Sequence, residues 1–200
     1  MINKEYWNNF YKLDIVPRHE SPFADYVMDY IISENLKDKK LIDVACGNGR
    51  DTFFFKDKGV SSTGIDLSVN PDAEDTEFIQ GNILQFDYSP FELIYLRFIV
   101  HALKEVELDL LLNRIAETTG EATLFIETRS SKGVTDEDKS ETFFKSGIGE
   151  EHFRMLYSEA YLTQKMNEKF EVIKVEENNG FSVFNGNDPV CIRYILRKKL

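Results

Sequence analysis

The chain has 200 residues, 42% of them apolar, and a formal net charge of −11. That length suits one domain with a full hydrophobic core, while the acidic balance, the absence of a basic cluster and the absence of an N-P-P-Y or D-P-P-Y string argue against a nucleic-acid substrate. Cys46 and Cys191 give neither a disulfide framework nor metal-ligand spacing. The N-terminal MINKEYWNNFYKLD lacks a signal-peptide core, and no apolar run reaches membrane-spanning length, so a metal-free cytoplasmic protein is expected.

In chain order, Glu5 to Tyr11 predicts a short amphipathic helix with Tyr6, Trp7, Phe10 and Tyr11 as its aromatic face. Pro17 to Ala24 (PRHESPFA) is a proline-bounded loop leading into a helix from about Pro22 to Glu34. His19 and Ser21 sit in that loop, where binding residues concentrate. Leu41 to Ala45 is an apolar run broken only by Asp43, and it stops at Cys46-Gly47-Asn48-Gly49, which reads as a buried strand entering a turn. Glycines at 47 and 49 allow unusual backbone dihedrals and close approach of a ligand. A helix follows from Arg50 or Asp51 to Lys58 and stops at Gly59. Val60 to Ile65 is the next strand, and Asp66 ends it where a carboxylate can accept both hydroxyl hydrogens of a ribose.

Two nucleotide-type ligands use such a loop. A dinucleotide site wants a third glycine and places a pyrophosphate on the helix N-terminus, whereas here Thr52 takes that position. Asp43 would repel a pyrophosphate but suits a ligand bearing an ammonium group, so S-adenosylmethionine is the better match.

The segment from Asp43 to Gly49 resembles the first motif of class I S-adenosylmethionine-dependent methyltransferases, and the resemblance extends over nearly the whole chain. Phe78 to Ile83 looks like the end of that family's third strand, with Asn82 and Ile83 placed for the adenine. Phe91 to Phe98 looks like the fourth strand and Phe98 to Leu103 like the segment facing the cofactor. Ala122 to Glu127 is the fifth strand, Ser130 to Gly149 an extended irregular stretch, and Phe170 to Val175 and Val190 to Leu196 the last pair, forming an antiparallel edge that contains Cys191. The fold implied is a three-layer, Rossmann-like α/β domain with a seven-stranded, mostly parallel sheet. Residues 1–200 form the single domain, residues 1–35 a helical lid region, and residues 130–157 a substrate-side insertion. Cofactor contacts are expected from Asp43, Ala45, Gly47, Asn48, Gly49, Arg50, Asp66 and Leu67, and further from Asn82, Ile83, Arg97 and Tyr11.

Methyl transfer is a direct displacement that needs alignment, exclusion of water and sometimes a base. His101, after the fourth strand, is the expected base. His19, Arg129, His152 and Arg154 are the expected acceptor contacts. Arginines gathered at strand ends offer bidentate contacts to phosphate or carboxylate, which favours a small acceptor that is anionic or nucleotide-activated. The stretches WNNFY, PRHESPFA, LIDVACGNGRD, YLRFIVHAL, FIETRS, EEHFR and DPVCIRYILRKKL resemble methyltransferases of bacterial capsule and surface-polysaccharide clusters. This implies methylation of a sugar hydroxyl or of a capsular phosphoramidate. A nicotinamide-dependent oxidoreductase and a non-catalytic cofactor-binding subunit are the alternatives.

Overall fold

The computed structural model of the protein describes residues 17–68, 78–145 and 151–199; the expected aromatic helix, with Tyr11, lies outside them. In chain order the elements are α1 (Pro22–Ser33), β1 (Leu41–Val44), α2 (Arg50–Asp57), β2 (Ser62–Asp66), β3 (Phe78–Gln80), β4 (Leu93–Arg97), a 3-10 turn (Val100–Ala102), α3 (Glu105–Thr118), β5 (Thr123–Arg129), β6 (Lys139–Lys145), β7 (Glu151–Tyr157), α4 (Glu159–Met166), β8 (Phe170–Asn178) and β9 (Cys191–Lys198). Seven strands form one sheet in the order β3-β2-β1-β4-β5-β9-β8, and β6 pairs with β7 alone. Strands β1 to β5 are parallel, and β9 runs antiparallel to both of its neighbours. The order reverses between β1 and β4, which opens a crevice beyond their carboxyl ends.

Alternation along the strands divides the interior into two layers. Ile42 and Val44, Ile94 and Leu96, and Leu124 and Ile126 face α3 and α4, where Leu108, Leu111, Ile115 and Leu162 join them. Leu41, Leu93, Tyr95, Phe125 and Ile195 face the other way, onto Phe23, Val27 and Ile31 of α1 and Phe55 of α2. Helix α1 starts where Ser21 Oγ accepts the Ala24 N–H at 3.1 Å and Pro22 supplies a helix-ready φ. Its buried face makes α1 a layer of the core.

The same alternation puts charged side chains in a row. Arg97, Glu127 and Arg193 are lateral neighbours across β4, β5 and β9. Glu127 is fully buried and accepts from Arg97 Nε at 3.1 Å and Arg193 Nε at 2.8 Å. Two cations thus offset the cost of burying one carboxylate.

Two expectations are corrected. The stretch after Ser130 is not irregular throughout: Lys139–Lys145 forms β6, in register with β7 from Lys139↔Tyr157 to Lys145↔Glu151. Its order comes from a partner outside the stretch, including the edge-to-face pair of Phe143 and Phe153, with ring centroids 6.0 Å apart. Cys191 is not in an edge strand either, because β9 lies between β5 and β8 and the edge is β8.

Removing the carboxylate leaves two guanidinium groups without their counter-charge in a buried row. Glu127→Gln is therefore expected to cost about 3–5 kcal/mol, read as a lowered urea midpoint with an unchanged slope.

Candidate active site

The loop after β1 departs from regular backbone at once. Ala45, Gly47 and Gly49 have φ of 61°, 58° and 75°, so a left-handed non-glycine residue stands directly at the strand end. The loop is tied to the neighbouring strand by Ala45 and Cys46 N–H groups that both donate to Ile65 O, at 2.8 and 3.1 Å. Asp66 completes the tie: its Oδ2 accepts the Gly47 N–H at 3.0 Å and its Oδ1 the Ser68 N–H at 2.7 Å. Gly64 permits this approach, since a β-carbon there would lie 2.7 Å from Cys46 Sγ and 2.8 Å from the Phe78 ring.

Asp43 and Asp51 lie behind the loop. Thr52 Oγ1 donates to Asp43 Oδ2 at 2.6 Å, so the residue in the position of a third glycine works for the carboxylate. Burial pushes Asp43 up to about 7, with the nearby Asp51 charge adding to it. Asp51 accepts from Ser21 N–H and Oγ, each at 2.7 Å, and from the Tyr95 hydroxyl at 2.8 Å. That knot fixes the start of α1 to α2 and β4.

A cavity of about 900 Å³ opens above the strand ends. Asp43, Ala45, Asn48, Arg50, Asp66 and Leu67 line one part of it, with Ile83 on the adjoining wall. Pro17 and His19 stand against this part, where Pro17 O accepts from Asn48 Nδ2 and His19 O from Arg50. Gly47 and Gly49 shape the loop without forming cavity wall. Asn82 lies outside the wall too; it is exposed, and its Oδ1 accepts the Leu84 N–H at 3.0 Å.

The part at the ends of β4 and β5 and along β7 is cationic. Arg97, Arg129, Lys132, His152 and Arg154 line it together with His101. Phe98, left-handed at φ 61°, carries its ring into this group: Arg97 lies 4.3 Å and Arg129 5.8 Å from its centroid, and the His101 ring packs edge-on at 5.2 Å. Arg129 Nε is buried and has no hydrogen-bond partner among the described residues, and burial lowers the pKa of its guanidinium. Arg154 Nε donates to His152 Nε2 at 3.0 Å, and His152 is pushed down to about 4 by burial and then by Arg154 and Arg129.

His101 is placed as expected but not poised as a base. Its Nδ1 accepts the Arg129 backbone N–H at 3.2 Å and lies 3.1 Å from Thr128 Oγ1. A backbone N–H can only donate, so the ring proton of neutral His101 sits on Nε2. Burial and the charges of Arg154, Arg129, His152 and Arg97 hold its pKa well below the usual histidine value. The ring offers a donor, and the lone pair needed for the base role is occupied.

No family model and no curated protein sequence matches the chain. Solved structures do. A Burkholderia thailandensis 1,6-didemethyltoxoflavin-N1-methyltransferase, with 1,6-didemethyltoxoflavin and S-adenosylhomocysteine bound, superposes with a TM-score of 0.70 at 15% identity, over 89% of this chain and 79% of that one. An S-adenosylmethionine-dependent methyltransferase from Methanosarcina mazei gives 0.72 at 17% identity, over 85% and 97%. The glycopeptide N-methyltransferase MtfA, bound to S-adenosylhomocysteine, gives 0.69 at 13% identity, over 96% and 97%. The fold is the class I methyltransferase fold.

Several site features escaped the sequence reading. Asp51 stands in the sequence only as a possible first residue of a helix, and only the folded chain brings Ser21 and Tyr95 to it. Gly64 had a signal, a glycine inside a strand. So did Asn185-Gly186, a hairpin-turn dipeptide: both have positive φ, and Phe184 and Asn187 exchange backbone hydrogen bonds of 2.9 Å. That turn brings Ser182, Val183, Phe184 and Asp188 to the cavity wall, and Arg97 donates to Ser182 Oγ at 3.2 Å.

The elevated Asp43 fixes a pH dependence. The native state keeps a proton up to about pH 7 that the unfolded chain releases near pH 4. This contribution to stability is therefore complete below pH 4 and lost as pH rises to about 7. Asp43→Asn removes the titration, so urea unfolding without ligand should show the variant gaining about 2–3 kcal/mol on the parent between pH 5 and pH 8.

Proposed function

We propose that this protein transfers a methyl group from S-adenosylmethionine to an oxygen or nitrogen of a small anionic acceptor. The observation that carries the proposal is the polarity of the cavity. Carboxylates gather around the glycine loop, where a sulfonium and an ammonium would lie, and arginines gather at the other part, where an anion would lie. In this reading Asp66 accepts from the ribose hydroxyls and the strained loop backbone meets the methionine portion, with Asp43 supplying charge behind it. Ile83 packs on the adenine, and the amino-group contact expected of Asn82 requires its side chain to turn from the Leu84 N–H toward the cavity. Ala45, Asn48, Arg50 and Leu67 add further cofactor contacts, Gly47 and Gly49 shape the loop that makes them, Arg97 joins from the end of β4, and Tyr11, outside the described residues, is the remaining expected contact.

His19, Arg129, His152 and Arg154 belong to the acceptor side. A small acceptor is supported by the Burkholderia fold relative, which was crystallised with 1,6-didemethyltoxoflavin. The envelope-carbohydrate setting, with a sugar hydroxyl, a phosphoramidate or a nucleotide-activated precursor as acceptor, rests on the sequence stretches quoted above. A cytoplasmic location fits two free cysteines, Cys46 and Cys191. Among the described residues no helix is long and apolar enough to cross a membrane. Against the dehydrogenase alternative stands Thr52, whose hydroxyl is committed to Asp43. A non-catalytic subunit would have no use for a second, cationic part of the cavity.

Calorimetric titration is the test. S-adenosylmethionine and S-adenosylhomocysteine should bind in the micromolar range, about −8 kcal/mol, and NADH should not. An ammonium group near Asp43 lowers its pKa, so binding near pH 7 should release a proton and give heats that depend on the buffer's ionisation enthalpy. Binding of NADH alone would restore the dehydrogenase reading, and binding of none of the three would count against the proposal.

A further inference from the structure

We infer that the acceptor atom is an oxygen already anionic at neutral pH, of carboxylate or phosphoryl type, and that His101 steers it as a hydrogen-bond donor through Nε2–H. The inference rests on the methyl-transfer reading and narrows it.

A hydroxyl acceptor must lose its proton as it attacks, and among the described residues the two histidines of the cationic part each have a ring nitrogen already engaged as an acceptor. His101 Nδ1 is filled by the Arg129 N–H. His152 Nε2 accepts from Arg154. Glu127 is clamped between Arg97 and Arg193, while Asp188, on the turn before β9, has only its Oδ1 tied, to the Gly180 N–H at 2.6 Å. Asp43 and Asp66 stand at the glycine loop, where they are needed by the cation. What this part of the cavity presents instead is a set of donors and positive charges: the Nε2–H of His101, the guanidinium of Arg129 with its buried Nε unpartnered among the described residues, and Arg97 and Arg154 around them.

An oxyanion suits that set and needs no base. Its lone pair forms the new O–CH3 bond while the S–CH3 bond breaks and its electron pair returns to sulfur. The sulfonium becomes a neutral thioether, the oxyanion loses one unit of negative charge, and no proton moves. The low basicity of His101 follows first from its burial and then from the groups facing it, Arg154, Arg129, His152 and Arg97, and it keeps the ring in the neutral donor form across the working pH range.

The test uses the full chain, 15N-labelled, with S-adenosylhomocysteine bound. The His101 ring nitrogens are followed by NMR from pH 5 to pH 9, assigned by their loss in His101→Gln. Benzoate, phenyl phosphate and benzyl alcohol serve as probes. The expected result is an Nε2–H tautomer without protonation down to pH 5, and a shifted Nε2 signal with at least one of the two anions but not with benzyl alcohol. Which anion binds tells carboxylate from phosphoryl. His101→Ala should weaken the bound anion about tenfold, the loss of one hydrogen bond to a charged group, while His101→Gln, which still donates, should stay within about threefold of the parent. Thermal unfolding of both variants with S-adenosylhomocysteine confirms that they are folded. A proton on Nδ1, titration above pH 6, equal binding of benzyl alcohol, or no response to either anion would overturn the inference while leaving methyl transfer intact. Failure of S-adenosylhomocysteine to bind would overturn both.

Discussion

The buried row of Arg97, Glu127 and Arg193 is the constraint on which the rest of the structure depends. A carboxylate with no exposed surface is tolerated only because two guanidinium groups reach it, and those groups come from the strands on either side. Meeting that requirement fixes the lateral register of β4, β5 and β9 at the end where the crevice opens. Each arginine has further work. Arg193 stacks 4.2 Å from the Phe181 ring and lies 5.3 Å from that of Phe23, and it donates to Phe181 O. Arg97 reaches Ser182. One electrostatic solution thus holds three strands, the α1 layer and the cavity-lining loop in a single arrangement.

Backbone strain marks the same crevice. Ala45 and Phe98 are left-handed at the ends of β1 and β4, two strands that are neighbours in the sheet. Such conformations cost of order 1 kcal/mol or more each and persist where the surroundings over-determine them. The surroundings here are specific: Ile65 O accepts from Ala45, and Glu127 O accepts from the Phe98 N–H at 2.8 Å. The result is that the glycine loop swings toward Asp66 and the Phe98 ring turns toward the arginines, giving the two parts of the cavity their separate characters.

Much of this was legible in the chain. Strand and helix order, the glycine turn, Asp43 and Asp66 follow from apolar periodicity and turn chemistry, which are local properties. What local pattern cannot carry is partnership at long range. The strand at Lys139–Lys145 hides in a polar stretch because its partner lies beyond Gly149. Cys191 was assigned to an edge because nothing local says that the last strand inserts between two others. Asp51 gains its importance only when Ser21, 30 residues away, folds onto it. His101 shows the limit most sharply: the sequence places it in the crevice, but whether it takes a proton or gives a hydrogen bond depends on which N–H meets Nδ1.

The two characters of the cavity also bear on the chemistry proposed for it. A cationic donor and an anionic acceptor approach one another and are neutralised together as the methyl group moves, so charge is lost at the reacting centre. Water, which solvates both ions, opposes such a reaction, and a cavity that replaces water with fixed groups opposes it less. The fixed groups must still recognise each ion separately, or the acceptor's arginines would repel the sulfonium. Carboxylates mute the cations on that side: Asp51 lies 3.7 Å from Arg50 beside the glycine loop and Glu127 holds Arg97, while Arg129 keeps a guanidinium nitrogen without a partner among the described residues. Positive charge is thereby muted beside the glycine loop and left stronger around Arg129.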